Sequence, residues 1–109
     1  MQVITEAKLE AALEYLASSD ESSANLKADV ARSKYLAELA EAFAFKTLTV
    51  GTVTDKQAEV QMDKGVQSAW DKHFTAIAAY EKVRARRERA VLIVDIYRTQ
   101  AANRRVGNV

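Results

Sequence analysis

The sequence predicts an all-α protein: an elongated helical hairpin with a short N-terminal helix, a second helix and a long C-terminal helix. Three observations carry that expectation. The 109 residues include no proline and only three glycines, too few turn formers for a β-rich fold of this length. Hydrophobic residues make up 49%, and many of them are alanine, the strongest helix former. Leucine, alanine and aromatic residues recur at spacings of three and four along most of the chain. The length fits one domain over residues 1–109, with a core that is modest because alanine brings little area to bury.

Helices are expected at about 6–17, 20–48 and 55–104, with a hairpin loop at 49–54. The first starts at Thr5, an N-cap residue, with Ile4 and Leu9 placed as a hydrophobic staple and Glu6 at the positive end of the dipole. Leu9, Leu13 and Leu16 follow at helical spacing. The polar run Ala17–Asn25 contains Ser18-Ser19-Asp20-Glu21, which has the form of a capping box, so a new helix or a kinked continuation is expected to start near Ser19, with a break between helices favoured. Leu26, Val30, Ala37, Ala40 and Ala44 then make one stripe, and Leu36, Leu39 and Phe43 widen it. Small residues in such a stripe let a second helix approach closely.

Thr47–Thr54 is β-branched around Gly51, which disfavours helix and suits a turn. Thr54-Asp55-Lys56-Gln57 reads as a second capping box opening the long helix. One glycine with no Lys-Ser/Thr after it argues against a phosphate loop. Met62, Val66, Trp70, Ile77 and Tyr80 form the next stripe with Phe74 beside it, and Gly65 is a point of loosening. A helix over 55–104 would be on the order of 75 Å long. Its apolar end, Ala90–Tyr97, would stand exposed in a monomer. A homo-oligomer, most simply a symmetric dimer, is therefore expected, with Val91, Val94 and Tyr97 at the interface.

Charge is uneven. Residues 1–80 hold 8 Lys and Arg against 12 Asp and Glu, whereas residues 81–109 hold 8 against 3. Such a split fits either a nucleic-acid patch or an acidic part packing beside a basic one, within a chain or between chains. Arg84, Arg86, Arg87, Arg89, Arg98, Arg104 and Arg105 are the candidate nucleic-acid-binding residues, since the guanidinium fork suits phosphate. The competing reading is ion pairing with the acidic helices and complementation of the helix dipole. Tyr80, Tyr97 and Trp70 suit base stacking, though at helical spacing core packing is the simpler account.

Catalysis finds little support. His73 is the only histidine and suits a structural role. Glu6, Glu10 and Glu14 share a face but lack the Glu-x-x-His motif of helical di-metal sites. With no cysteine there is no thiolate ligand or disulfide. No catalytic residue, metal ligand or cofactor is expected, and the chain is expected not to be an enzyme. No signal peptide or membrane span is legible, so a cytoplasmic protein without membrane association is the expectation.

Several segments together resemble a group of short, all-helical proteins encoded by bacteriophages and prophages. They are Tyr15-Leu16-Ala17, Gly51-Thr52-Val53 with Asp55-Lys56, Tyr80-Glu81, Arg87-Glu88, Ala90, Tyr97-Arg98-Thr99 and Arg104-Arg105-Val106-Gly107. Genes of that group often lie near recombination and replication genes. The resemblance implies an accessory role on nucleic acid or on a DNA recombination or replication partner, in the cytoplasm of a bacterial host. The alternative expectation is a structural protein acting only through protein–protein self-association.

Overall fold

The computed structural model describes residues 3–107. It contains three helices, α1 Glu6–Thr47, α2 Val53–Met62 and α3 Lys64–Gly107, and no strand among the described residues. The all-α expectation holds. No described helix is long and apolar enough to cross a membrane.

α1 begins as the sequence predicts. The Thr5 hydroxyl accepts from the Lys8 amide at 3.2 Å, and the Thr5 carbonyl accepts from Leu9 at 3.0 Å. The helix then runs without interruption through Ala17–Asn25, where a break was expected. The reason is that the serines satisfy themselves inside the helix. Ser18 and Ser19 donate to the Tyr15 carbonyl at 3.3 and 2.6 Å, and Ser22 donates to the Ser19 carbonyl at 3.1 Å. Such back-bonding occupies Ser18, the expected cap, and its neighbour Ser19, and the run has no glycine or proline to force a break.

The end of α1 and the start of α2 also differ from expectation by a residue or two. Gly51 takes φ +108°, a conformation that side-chain-bearing residues avoid. The capping box sits at Thr52 and Asp55, two residues before the Thr54 box. Thr52 Oγ1 accepts from the Asp55 amide at 3.2 Å, and Asp55 Oδ2 accepts from the Thr52 amide at 3.4 Å. The expected single helix over 55–104 is instead two, divided at Asp63. This residue is extended (φ −66°, ψ 126°) and its Oδ1 accepts from the Val66 amide at 3.0 Å, so it caps α3. Gly65 leaves room for that carboxylate: a Cβ there would lie 3.0 Å from Asp63 Oδ1.

The chain forms two compact units, one of Met1–Ala24 with Glu81–Val109 and one of Asn25–Tyr80. In the first, α1 and α3 pack around Ala12, Ala90 and Val94, with Leu9, Tyr15, Leu16 and Ile93 partly buried against them. The Gln100 side-chain amide holds the residue before α1 at both ends of its peptide. It accepts from the Ile4 amide at 2.8 Å and donates to the Ile4 carbonyl at 3.2 Å. In the second unit Ala37, Val60, Val66 and His73 are buried.

The covered positions keep one rhythm along each long helix. On α1 they are Leu9, Ala12, Leu16, Ser19, Ser23, Leu26, Val30, Ser33, Ala37, Ala40 and Ala44, all buried or half-buried. On α3 they are Val66, Ala69, His73, Ala76, Tyr80, Val83, Arg87, Ala90, Val94, Tyr97 and Ala101. The steps alternate three and four, a seven-residue repeat.

Candidate functional site

Two seam positions on α3 are occupied by residues that ordinarily avoid burial, and each is answered by a serine on α1. In the first unit, Arg87 turns inward, its side chain 23% exposed. Its Nη1 donates to the Leu16 carbonyl at 2.9 Å and to Ser19 Oγ at 2.6 Å, and its Nη2 reaches Asp20 Oδ1 at 3.2 Å. In the second unit, His73 Nδ1 lies 3.0 Å from Ser33 Oγ. The Ser33 hydroxyl also reaches the Val30 carbonyl at 3.1 Å. Trp70 meets the imidazole edge-on at 5.6 Å between centroids, and Phe74 lies at 5.9 Å.

The serine–histidine contact was not visible in the sequence, where the two residues are forty positions apart. Its geometry suits support rather than nucleophilic attack. The histidine is 6% exposed, and among the described residues its only hydrogen-bond partner is Ser33, with no carboxylate to orient the ring. Nor do the described residues bring together three acidic, histidine or cysteine side chains able to hold a metal. Glu6, Glu10 and Glu14 are all exposed.

The seven candidate phosphate-binding arginines do not form one surface. Arg87 points into the seam. Arg84 is held on its own helix between Glu81 at 3.3 Å and Glu88 at 3.2 Å. Arg86 lies over the Tyr15 ring, 4.1 Å from its centroid. Arg89, Arg98, Arg104 and Arg105 are exposed and make no ion pair among the described residues. Arg86 and Arg89 border a groove of about 420 Å³ in the first unit, along with Lys8, Tyr15, Ala11 and Ile93. Lys8 was not among the sequence candidates, because only the fold brings it beside α3.

The three candidate interface residues also separate. Val94 is 9% exposed and belongs to the chain's own core, Tyr97 is half-buried, and Val91 alone stays open at 48%. An exposed apolar stripe lies elsewhere, in the second unit. Leu36, Leu39 and Phe43 follow one another along α1 at steps of three and four and are 50%, 51% and 71% exposed. The sequence placed them beside the core stripe, where a wider partner would have covered them.

A second groove, of about 480 Å³, is lined by Glu41, Gln61, Val66, Gln67, Trp70, Asp71 and Phe74. Glu41 accepts from Trp70 Nε1 at 2.6 Å and from Gln61 Nε2 at 3.5 Å, so its carboxylate ties α1 to both other helices.

The chain is thus all-α, and within each unit α1 and α3 meet through small side chains and serine contacts. Comparison with protein-family models, with curated proteins and with solved structures gives no match.

Proposed function

We propose that this chain is a non-catalytic assembly protein, in which α1 and α3 pair as an antiparallel coiled coil and the second unit associates with a copy of itself. The observation that carries this reading is the uncovered stripe Leu36–Leu39–Phe43. Eight of the thirteen large apolar side chains left exposed lie in the second unit. Two stripes facing each other across a two-fold axis satisfy both chains at once.

Sedimentation velocity and light scattering test this. The chain should be dimeric at micromolar concentration, and Phe43→Glu should make it monomeric. Phe43 is exposed, so the substitution should leave the helical circular dichroism unchanged. A wild-type chain that stays monomeric would remove the reading.

A second reading, the accessory role on nucleic acid implied by the phage-protein resemblance, draws support from the free guanidinium groups of Arg89, Arg98, Arg104 and Arg105. Under it, labelled oligonucleotides should bind with an affinity that falls with salt by about 0.9 log units per decade for each phosphate contacted. Binding absent at low salt would exclude it.

A further inference from the structure

The first unit is sorted by charge. On each helix the seam leaves two flanks. The flank that carries the 420 Å³ groove holds Lys8, Arg86 and Arg89, and helical spacing adds Lys82 four residues before Arg86. No carboxylate lines the groove. Its floor is apolar, with Ala11, Tyr15 and Ile93. The acidic residues of the same unit fall on the other flank or on the outer surface. Glu6 and Glu10 from α1 and Glu88 and Asp95 from α3 sit on that flank around Leu13 and Val91, which are 47% and 48% exposed. Arg84 and Arg98 share that flank, Arg84 held by Glu81 and Glu88, and the acidic residues outnumber the basic ones there.

The groove flank is thus bordered by basic residues alone and the other flank carries an acidic excess, each around an apolar centre. We infer that the basic groove of one chain receives the acidic flank of the next. This rests on the assembly reading and gives it a direction. A contact between two different faces is heterologous, so it does not close on itself in a pair. Dimers made through the Leu36–Leu39–Phe43 stripe would be joined through it into larger assemblies. The charge sets register and partner choice, while Leu13, Val91, Tyr15 and Ile93 supply the area.

Charge exchange tests the inference. One variant carries Arg86→Glu and Arg89→Glu; the other carries Glu10→Lys and Asp95→Lys. By sedimentation at about 0.1 M salt, the wild-type chain should grow beyond the dimer as concentration rises. At about 1 M, where the Debye length shrinks from about 10 Å to about 3 Å, growth should stop at the dimer. Each variant alone should stop at the dimer in low salt as well. An equimolar mixture of the two should grow again, since every reversed face then meets its complement. Growth of either variant alone to wild-type size, or a mixture that stays dimeric, overturns the inference while leaving the stripe-mediated dimer standing. So does a wild-type chain that stops at the dimer in low salt but binds an oligonucleotide that the Arg86/Arg89 variant no longer binds. That outcome would make the groove a polyanion site. Dimers lost only on Phe43→Glu, with no effect of the charge variants, would separate the two readings in the same experiment.

Discussion

Arg87 offers the sharpest test of how the seam is held. Arg87→Met keeps the unbranched stem and removes the guanidinium. Of the three hydrogen bonds lost, the one to Asp20 counts least, because that carboxylate is 81% exposed and its ion pair is screened. The two from Nη1 to the Leu16 carbonyl and Ser19 Oγ lie in the seam, and charge-assisted bonds of that kind contribute about 1.5–3 kcal/mol each at most. Two effects reduce the cost. The Ser19 hydroxyl keeps its donated bond to the Tyr15 carbonyl, so it is not left without a partner. Methionine also removes the desolvation of a largely covered charge. A net loss of about 1–2 kcal/mol follows, which for a chain of this size lowers Tm by roughly 4–15 °C.

The assay is urea unfolding followed by circular dichroism, run as a double-mutant cycle with Ser19→Ala. A coupling of about 0.5–3 kcal/mol between the two positions is expected, and Asp20→Ala should change stability by less than about 0.5 kcal/mol. If Arg87→Met is as stable as the wild-type chain and the coupling vanishes, the guanidinium does not hold the seam, and the argument from its contacts is wrong.

Other substitutions probe single links. Gly51→Ala should cost about 1–3 kcal/mol in thermal unfolding, because φ +108° is closed to alanine; an unchanged Tm would mean the turn can take another form. Ala37 has no exposed surface, so Ala37→Leu should overpack the second unit and cost about 1–3 kcal/mol by denaturant titration; a neutral result would reveal slack there. Glu41→Ala removes the acceptor of the single tryptophan, and the Trp70 emission should move to longer wavelength with a loss of about 1 kcal/mol. Unchanged emission would place Trp70 Nε1 against water already.

Most of the helical content was legible because propensity and periodicity agreed with it. Leu26, Val30, Ala37, Ala40 and Ala44 are seam positions, as their spacing indicated. The serine run misled because a serine near a helix start and a serine inside a helix look alike in one dimension. Which carbonyl the hydroxyl reaches depends on what packs alongside, and here Ser19 is also needed by Arg87. The break at Asp63 was missed for a related reason. Gly65 drew notice as the weak point, but the capping carboxylate two residues earlier makes the break, and the glycine only leaves it space. The arginines could not be sorted by composition. Their roles depend on the angle at which each leaves α3, so Arg84, Arg86 and Arg87 go to helix, ring and seam respectively.

The composition of the seam has a consequence for how stability depends on concentration. Among the described residues the buried apolar side chains are Ala12, Ala37, Ala90, Val60, Val66 and Val94, all small. Alanine and valine let helices approach closely but each removes little area from water. The larger side chains that would enlarge a core, Leu36, Leu39 and Phe43, face outward. If a second chain covers them, part of the folding free energy is supplied by association. Linkage then requires that each tenfold rise in concentration stabilise a dimer by about 1.4 kcal/mol, or about 0.7 kcal/mol per chain. That is a rise of roughly 3–6 °C in Tm per decade of concentration. Calorimetry across two decades would show it, and Phe43→Glu should abolish it. A Tm that does not move with concentration would mean that the narrow seam, its two serine-answered polar layers included, holds each chain unaided.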